Sequence, residues 1–285
     1  MMANKKRAKR FSRNLILIIL TISLCSCSVV GHWWYDRLDI YITNYFFEYT
    51  EFNEEQKAFI RETSKKFHEW NSTIEMPKYK SLLNEIKTLE KQTTNDDIQG
   101  IFKKGKILFK ESNDFFIPYI ASFCRHLTDQ QVNDIDKKFK ERIDERGAYL
   151  EDSKKESRSE NVVSSFNSLA RFLGVKLEKR QREEIRKLSK NIVDKRSESI
   201  EIQRVWNEEF ISILRSRKEE KFYFDIKEHL NSLIKIEEIN KKEENIYNDM
   251  IVTTINSLNE KQKYKFQKRI GFFITSLDKV TKSPD

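Results

Sequence analysis

Apolar residues recur along most of this chain at intervals of three and four, the spacing that lines one face of an α-helix. In the last such segment Phe266, Ile270, Phe273, Ile274 and Leu277 share a face. Nearer the front, Phe59, Ile60, Thr63, Phe67 and Trp70 do the same. The pattern predicts helices near residues 34–50, 54–72, 77–92, 95–111, 113–125, 129–150, 160–173, 178–214, 219–236, 238–257 and 260–280. Segment 178–214 is long enough to run unbroken for ~55 Å at 1.5 Å per residue. Residues 151–161 hold no apolar side chain, so they read as a solvated spacer or loop and mark a possible subdomain break. Only six Gly and three Pro interrupt 285 residues. The expected fold is therefore all-α, an elongated multi-helix bundle of helical hairpins with one or two long helices.

A short pattern marks four of the predicted helix starts. Phe52-Asn53-Glu54-Glu55-Gln56 leads to Ile60, and Leu127-Thr128-Asp129-Gln130-Gln131 leads to Ile135. Leu177-Glu178-Lys179-Arg180-Gln181 leads to Ile185, and Leu258-Asn259-Glu260-Lys261-Gln262 leads to Phe266. Each is an apolar residue, a capping position and Gln at the third helical position, the layout of a capping box. Asn53, Thr128 and Asn259 are good caps, whereas Glu178 makes the third copy degenerate. As helix starts alone they contribute about 1 kcal/mol each. Four copies also suggest related helical-hairpin units.

The first 30 residues follow a different pattern. Lys5, Lys6, Arg7, Lys9, Arg10 and Arg13 precede an apolar run over 15–24, then small residues and a cysteine. That is the layout of an export signal with a cleavage zone. The run is about half of the ~20 residues a spanning helix needs. Leu24-Cys25-Ser26-Cys27 resembles the lipobox of bacterial lipoproteins, which implies cleavage after residue 26 and lipid attachment at Cys27. Two or more acyl chains anchor a protein stably where one does not. In that family a residue other than Asp after the cysteine, here Ser28, implies delivery to the outer membrane. The alternative is an uncleaved helix over 15–35, long enough to cross a bilayer, with His32, Trp33, Trp34 and Tyr35 as an interfacial anchor.

Removing residues 1–26 changes the charge picture. The full chain carries 54 Lys and Arg against 45 Asp and Glu, a net +9. Six of the basic residues and none of the acidic ones lie in 1–26, leaving about +3 on residues 27–285, interspersed in sign. Nucleic-acid binding loses its support. Once Cys25 is removed and Cys27 acylated, Cys124 stands alone among apolar neighbours, so no internal disulfide is expected and the thiol reads as buried and inert.

Two further resemblances bear on the body of the chain. Cys27-Ser28, Trp34-Tyr35-Asp36-Arg37-Leu38-Asp39, Tyr45-Phe46 and the Asn53–Gln56 helix start resemble an uncharacterised family of proteobacterial helical lipoproteins. His68-Glu69-Trp70 and Glu75-Met76-Pro77-Lys78-Tyr79 match a second signature of that family, although Asn71 stands where relatives have Arg. The resemblance covers most of residues 27–285 and implies a helical fold and an envelope location, with no activity. Leu127-Thr128 with Gln131 also resembles the Leu-Thr-x-x-Gln repeat of Spy-type periplasmic chaperones, helical cradles for unfolded envelope proteins.

Residues with candidate chemistry are few. His68-Glu69 lacks the second histidine of a zinc helix, because position 72 is Ser72, and His32, His126 and His229 are scattered. There is no glycine-rich phosphate loop or nucleophile elbow. Asp36, Asp39 and Glu48 near aromatics suit either a glycan cleft or the polar side of an amphipathic helix. His68, Trp70, Glu75, Pro77 and Tyr79 form either a structural corner between two helices or a binding site. Pro77 suits a first helical turn, and Glu75 the positive end of that helix. The expectation is an outer-membrane lipoprotein facing the periplasm. It acts by binding an envelope protein, an unfolded client or the cell wall, without catalysis, metal or cofactor. A cell-wall or glycan enzyme has no motif behind it.

Overall fold

The first N–H groups of a helix find no partner within it, so a side chain that accepts from them decides where the helix begins. The computed structural model describes residues 35–154, 157–237 and 241–281. The signal-like segment 1–26, Cys27 and the aromatic residues His32, Trp33 and Trp34 lie outside the described residues. Asn53, Thr94, Thr128, Ser157 and Asn259 each accept a hydrogen bond from the backbone N–H three residues on, at 2.8–3.3 Å. Helices α1 (Leu38–Phe47), α2 (Glu54–Trp70), α3 (Met76–Thr88), α4 (Asn95–Cys124) and α5 (Asp129–Ser153) make up the first half. The second half contains α6 (Arg158–Phe172), α7 (Lys179–Ser189), α8 (Arg196–Arg215), α9 (Phe222–Glu237), α10 (Lys241–Asn256) and α11 (Glu260–Thr281). The described residues form helices and turns with no strand, which is the all-α fold the pattern predicts.

Three expectations are corrected. The predicted helices over 95–111 and 113–125 are the single 30-residue α4. Leu108, Ser112, Ile117, Ala121 and Cys124 keep one buried face across the expected break, and Pro118 sits on the exposed side. Conversely, 178–214 is not continuous. Asp194 accepts from the backbone N–H of Arg196 at 3.2 Å and from its guanidinium at 2.8 and 2.6 Å, local bonds that compete with the helical ladder. The same arginine holds the Asp194 carboxyl down to about 2, and Ile192 turns into the core. Third, the expected gap between helices 54–72 and 77–92 is closed, because the chain passes from α2 to α3 through a helical π-turn, Asn71–Glu75.

The two halves repeat one order: a first helix, a glutamine-capped helix, a second helix, then one long helix in the first half or two helices in the second, then a second glutamine-capped helix. In the first half these are α1, α2, α3, α4 and α5. In the second they are α6, α7, α8, α9 with α10, and α11. The halves then exchange their middle helices, since α3 packs along α11 and α8 along α5. Ion pairs follow the exchange, with Lys80 to Asp278 across one contact and Arg215 to Asp136 across the other, the latter at 3.1 Å.

Two cores result, each drawing on both halves. Phe52, Ile60, Ile117, Leu127, Val132 and Ile135 bury against Phe210, Leu214, Phe222 and Ile226. Val175, Leu177, Ile185, Met250, Phe266, Ile270 and Phe273 bury against Met76, Tyr79, Leu82 and Leu83. Helix α4 passes through both, with Leu108 in one and Ile117, Ala121 and Cys124 in the other. Full burial contributes roughly 1.5–3 kcal/mol per large apolar side chain, so each half depends on the other for its core. Cys124 is free and buried, and burial pushes its thiol up to about 12.

Candidate functional site

The four capping glutamines meet in two pairs. Gln56 Nε2 donates to Gln131 Oε1 at 3.0 Å, and Gln131 Nε2 returns a bond to Gln56 Oε1 at 2.7 Å. Each Oε1 also accepts the N–H of its own capping residue, Asn53 or Thr128, at 3.0 Å. Each Nε2 also donates to a carbonyl two residues before its partner's cap, His126 at 3.2 Å and Glu51 at 2.9 Å. Gln181 and Gln262 repeat the whole arrangement. Their mutual bonds are 3.1 and 2.9 Å, and their further acceptors are the Ser257 and Lys176 carbonyls at 3.0 and 2.8 Å.

Both hydrogens and both acceptor positions of every amide are used, which is the full capacity of a glutamine side chain. At Glu178 the glutamine arm of the box is retained, with Gln181 Oε1 accepting the Glu178 N–H at 2.8 Å. The apolar residue opening each copy (Phe52, Leu127, Leu177, Leu258) is buried. These residues clasp helix N-termini and are structural.

The clasps have unlike neighbours. Beside the first, the buried guanidinium of Arg217 donates to the Leu127 carbonyl at 2.7 Å, to the Leu214 carbonyl at 3.1 Å and to Asp129. Beside the second lies a cavity of about 280 Å³ lined by Glu90, Lys91, Gln92, Ile255, Leu258, Glu260 and Lys263. Gln92 there adopts a left-handed backbone (φ 83°), which disfavours most side chains.

The second candidate site is the π-turn. Ser72 and Thr73 hydroxyls donate back to the Glu69 carbonyl at 2.9 and 2.8 Å. Pro77 offers no N–H to the preceding turn, so the register widens and the Met76 N–H reaches the Asn71 carbonyl five residues back. Asn71 is buried and accepts from the Tyr35 hydroxyl at 2.8 Å, and the His68 ring meets Tyr35 edge-on at 4.9 Å. Trp70 stacks on Phe115 at 4.9 Å, and Phe67 packs against Phe116 at 4.5 Å.

Glu75 is fully buried at the start of α3 and makes no capping bond. One of its oxygens accepts from Lys78 Nζ at 2.7 Å, while Oε2 has no partner. Lys78 also donates to Glu111 at 2.9 Å. Burial raises the Glu75 carboxyl above its ordinary range against the pull of Lys78, and its bonds to Glu75 and Glu111 raise the Lys78 ammonium. Tyr79 is buried, its hydroxyl pushed up to about 12 by desolvation. Of the five residues singled out here, Pro77 alone is exposed.

Over this turn runs an open groove of about 340 Å³ lined by Trp70, Ile74, Lys78, Glu111, Asp114 and Phe115. Lys78 was visible in the sequence, three residues after Glu75, but nothing marked it as chemical. Glu111, Asp114 and Phe115 come from α4 and carried no local signal. Among the described residues no three His, Cys, Asp or Glu side chains converge as a metal site requires, and no helix is long and apolar enough to cross a membrane.

The fold therefore defines a class: an all-helical protein whose two capped halves interlock by exchanging a helix. A family model matches residues 48–237, which span the first clasp, the π-turn and one side of the second clasp. The chain belongs to the family of unknown function DUF6279. This agrees with the expected uncharacterised helical family. No curated protein and no solved structure matches the chain.

Proposed function

We propose that this is a lipid-anchored, non-catalytic binding protein of a bacterial cell envelope, held at the outer membrane through Cys27 and facing the periplasm. The observation that carries the reading is Leu24-Cys25-Ser26-Cys27-Ser28 behind a basic front and a ten-residue apolar run. The open groove at the π-turn supports binding over catalysis. Glu75 is enclosed, and Lys78 ties it to Glu111, so neither carboxylate stands as a free acid or base. The Leu-Thr-x-x-Gln segment adds nothing to a chaperone role, because Leu127 fills the core and Gln131 the clasp.

Radiolabelled palmitate and intact-mass analysis test the anchor. Wild type is expected to be processed and labelled, and Cys27→Ala neither. A wild type that carries no palmitate, or a Cys27→Ala variant that is still processed, sinks the lipoprotein reading. Cross-linking from native membranes followed by mass spectrometry is expected to capture a stoichiometric envelope partner.

A further inference from the structure

Because the two halves repeat the same clasp and exchange, their departures from each other mark positions that shared packing does not dictate. The largest departure is at the π-turn. Where the second half breaks into the 190–195 connection, the first half stays helical, widens, and encloses Glu75. Such widened turns recur at functional sites. The groove above it sets Ile74 and the stacked pair Trp70 and Phe115 beside a donor, Lys78, and two acceptors, Glu111 and Asp114.

We infer that this groove binds an uncharged saccharide, one ring lying against Trp70 and Phe115 and its hydroxyls shared between Lys78 and Glu111. The inference rests on the reading of the chain as a binding protein. A sugar hydroxyl both donates and accepts, so neighbouring hydroxyls fit a rim that alternates ammonium and carboxylate. An anion meets Glu111 and Asp114 at the rim, with the Glu75 carboxyl behind. A cation would have to displace ammonium groups already in place, Lys78 from Glu111 and Lys110 from Asp114. A wholly apolar side chain would strip water from the Lys78–Glu111 pair without replacing it. Glu75 acts as a positioning residue, holding the Lys78 ammonium at the rim from beneath.

The test is titration of the intact, ¹⁵N-tryptophan-labelled chain in detergent with maltotriose, cellotriose and N,N′,N″-triacetylchitotriose, with the Trp70 indole signal assigned by Trp70→Phe. A saturable shift of that signal with at least one trisaccharide is expected. It should weaken about tenfold in Lys78→Met and in Glu111→Ala. Glu111 is only partly buried, so Glu111→Ala keeps the test alive if Lys78→Met fails to fold by circular dichroism. No shift with any trisaccharide, or a shift produced only by inorganic phosphate or an apolar tripeptide, overturns the saccharide site. If the signal stays still while cross-linking captures an envelope protein, the saccharide falls and the binding reading stands. Hydrolysis of a trisaccharide during the titration supports the site and overturns the non-catalytic reading.

Discussion

The two glutamine clasps share the same pairing of amides, yet the first is backed at Leu127 by the buried Arg217, whereas the second adjoins a cavity at Leu258 and has Arg182 on its Leu177 carbonyl. Arg217 arrives from the end of α8 and satisfies the carbonyl just before Thr128. At the corresponding place beside Leu258, the connection between α3 and α4 leaves space lined by Glu90, Gln92 and Glu260. The difference separates two kinds of constraint. A buried primary amide must have all four of its hydrogen-bonding positions met, so the pairing of glutamines is rigidly dictated. What stands beside the pair need only fill or solvate the surface, and there the halves diverge.

The largest test of this contrast removes one glutamine from each clasp. Gln131→Ala is expected to cost about 3 kcal/mol, because Gln56 and two backbone groups lose partners inside a dry core. Gln262→Ala is expected to cost about 1 kcal/mol less, since water from the adjoining cavity reaches the orphaned groups of Gln181. Urea denaturation of the two variants measures both, and equal losses would break the contrast. Arg217→Met comes next, at about 2 kcal/mol, for the Leu127 carbonyl left without its donor; the Leu214 carbonyl keeps the Arg217 backbone N–H. Lys263→Met at the cavity is expected to stay within about 0.5 kcal/mol, because its pair with the exposed Glu90 is screened by solvent.

A pH dependence tests the first core by a separate route. His229 stacks on Trp206 at 4.4 Å, and its Nε2 lies 3.0 Å from the Trp206 carbonyl. Burial lowers its pKa from the ordinary 6.5. The unfolded chain therefore takes up the proton first as pH falls. The stability from this residue is full above about pH 6.5 and lost as pH drops toward the folded value. Thermal melting is expected to show stability falling as pH drops below about 6.5, and His229→Phe should flatten that slope. An unchanged slope in that variant would move the titration elsewhere, and His68, lowered by the same cause, is the next residue to replace.

Much of the helical layout was legible from the residues. The buried faces of α2 and α11 are those the periodicity predicts: Ile60 and Phe67 in one, Phe266, Ile270, Phe273 and Leu277 in the other. The capping residues Asn53, Thr128 and Asn259 lie where expected. Misreadings arose where a short-range competitor outweighed the pattern. Asp194 captured Arg196 and cut the long helix, whereas a continuous buried face carried α4 past Ser112. At the π-turn the singled-out residues do come together, but as packing: His68 on Tyr35, Trp70 on Phe115, Glu75 enclosed. The chemistry of the groove comes from Lys78 with Glu111 and Asp114, and the latter two belong to a helix whose sequence gave no hint of meeting it.

The boundary between sequence and tertiary structure here is one of range. A capping box closes over three residues and an amphipathic face over one or two turns, so neighbours along the chain decide where helices begin and which side is buried. Periodicity is silent on which helix covers that side. Gln56 finds Gln131 across 75 residues and Gln181 finds Gln262 across 81. The exchange of α3 and α8 between the halves is longer-range still. Those choices are made only in the folded chain, where two half-cores and four unsatisfied amides are completed at once.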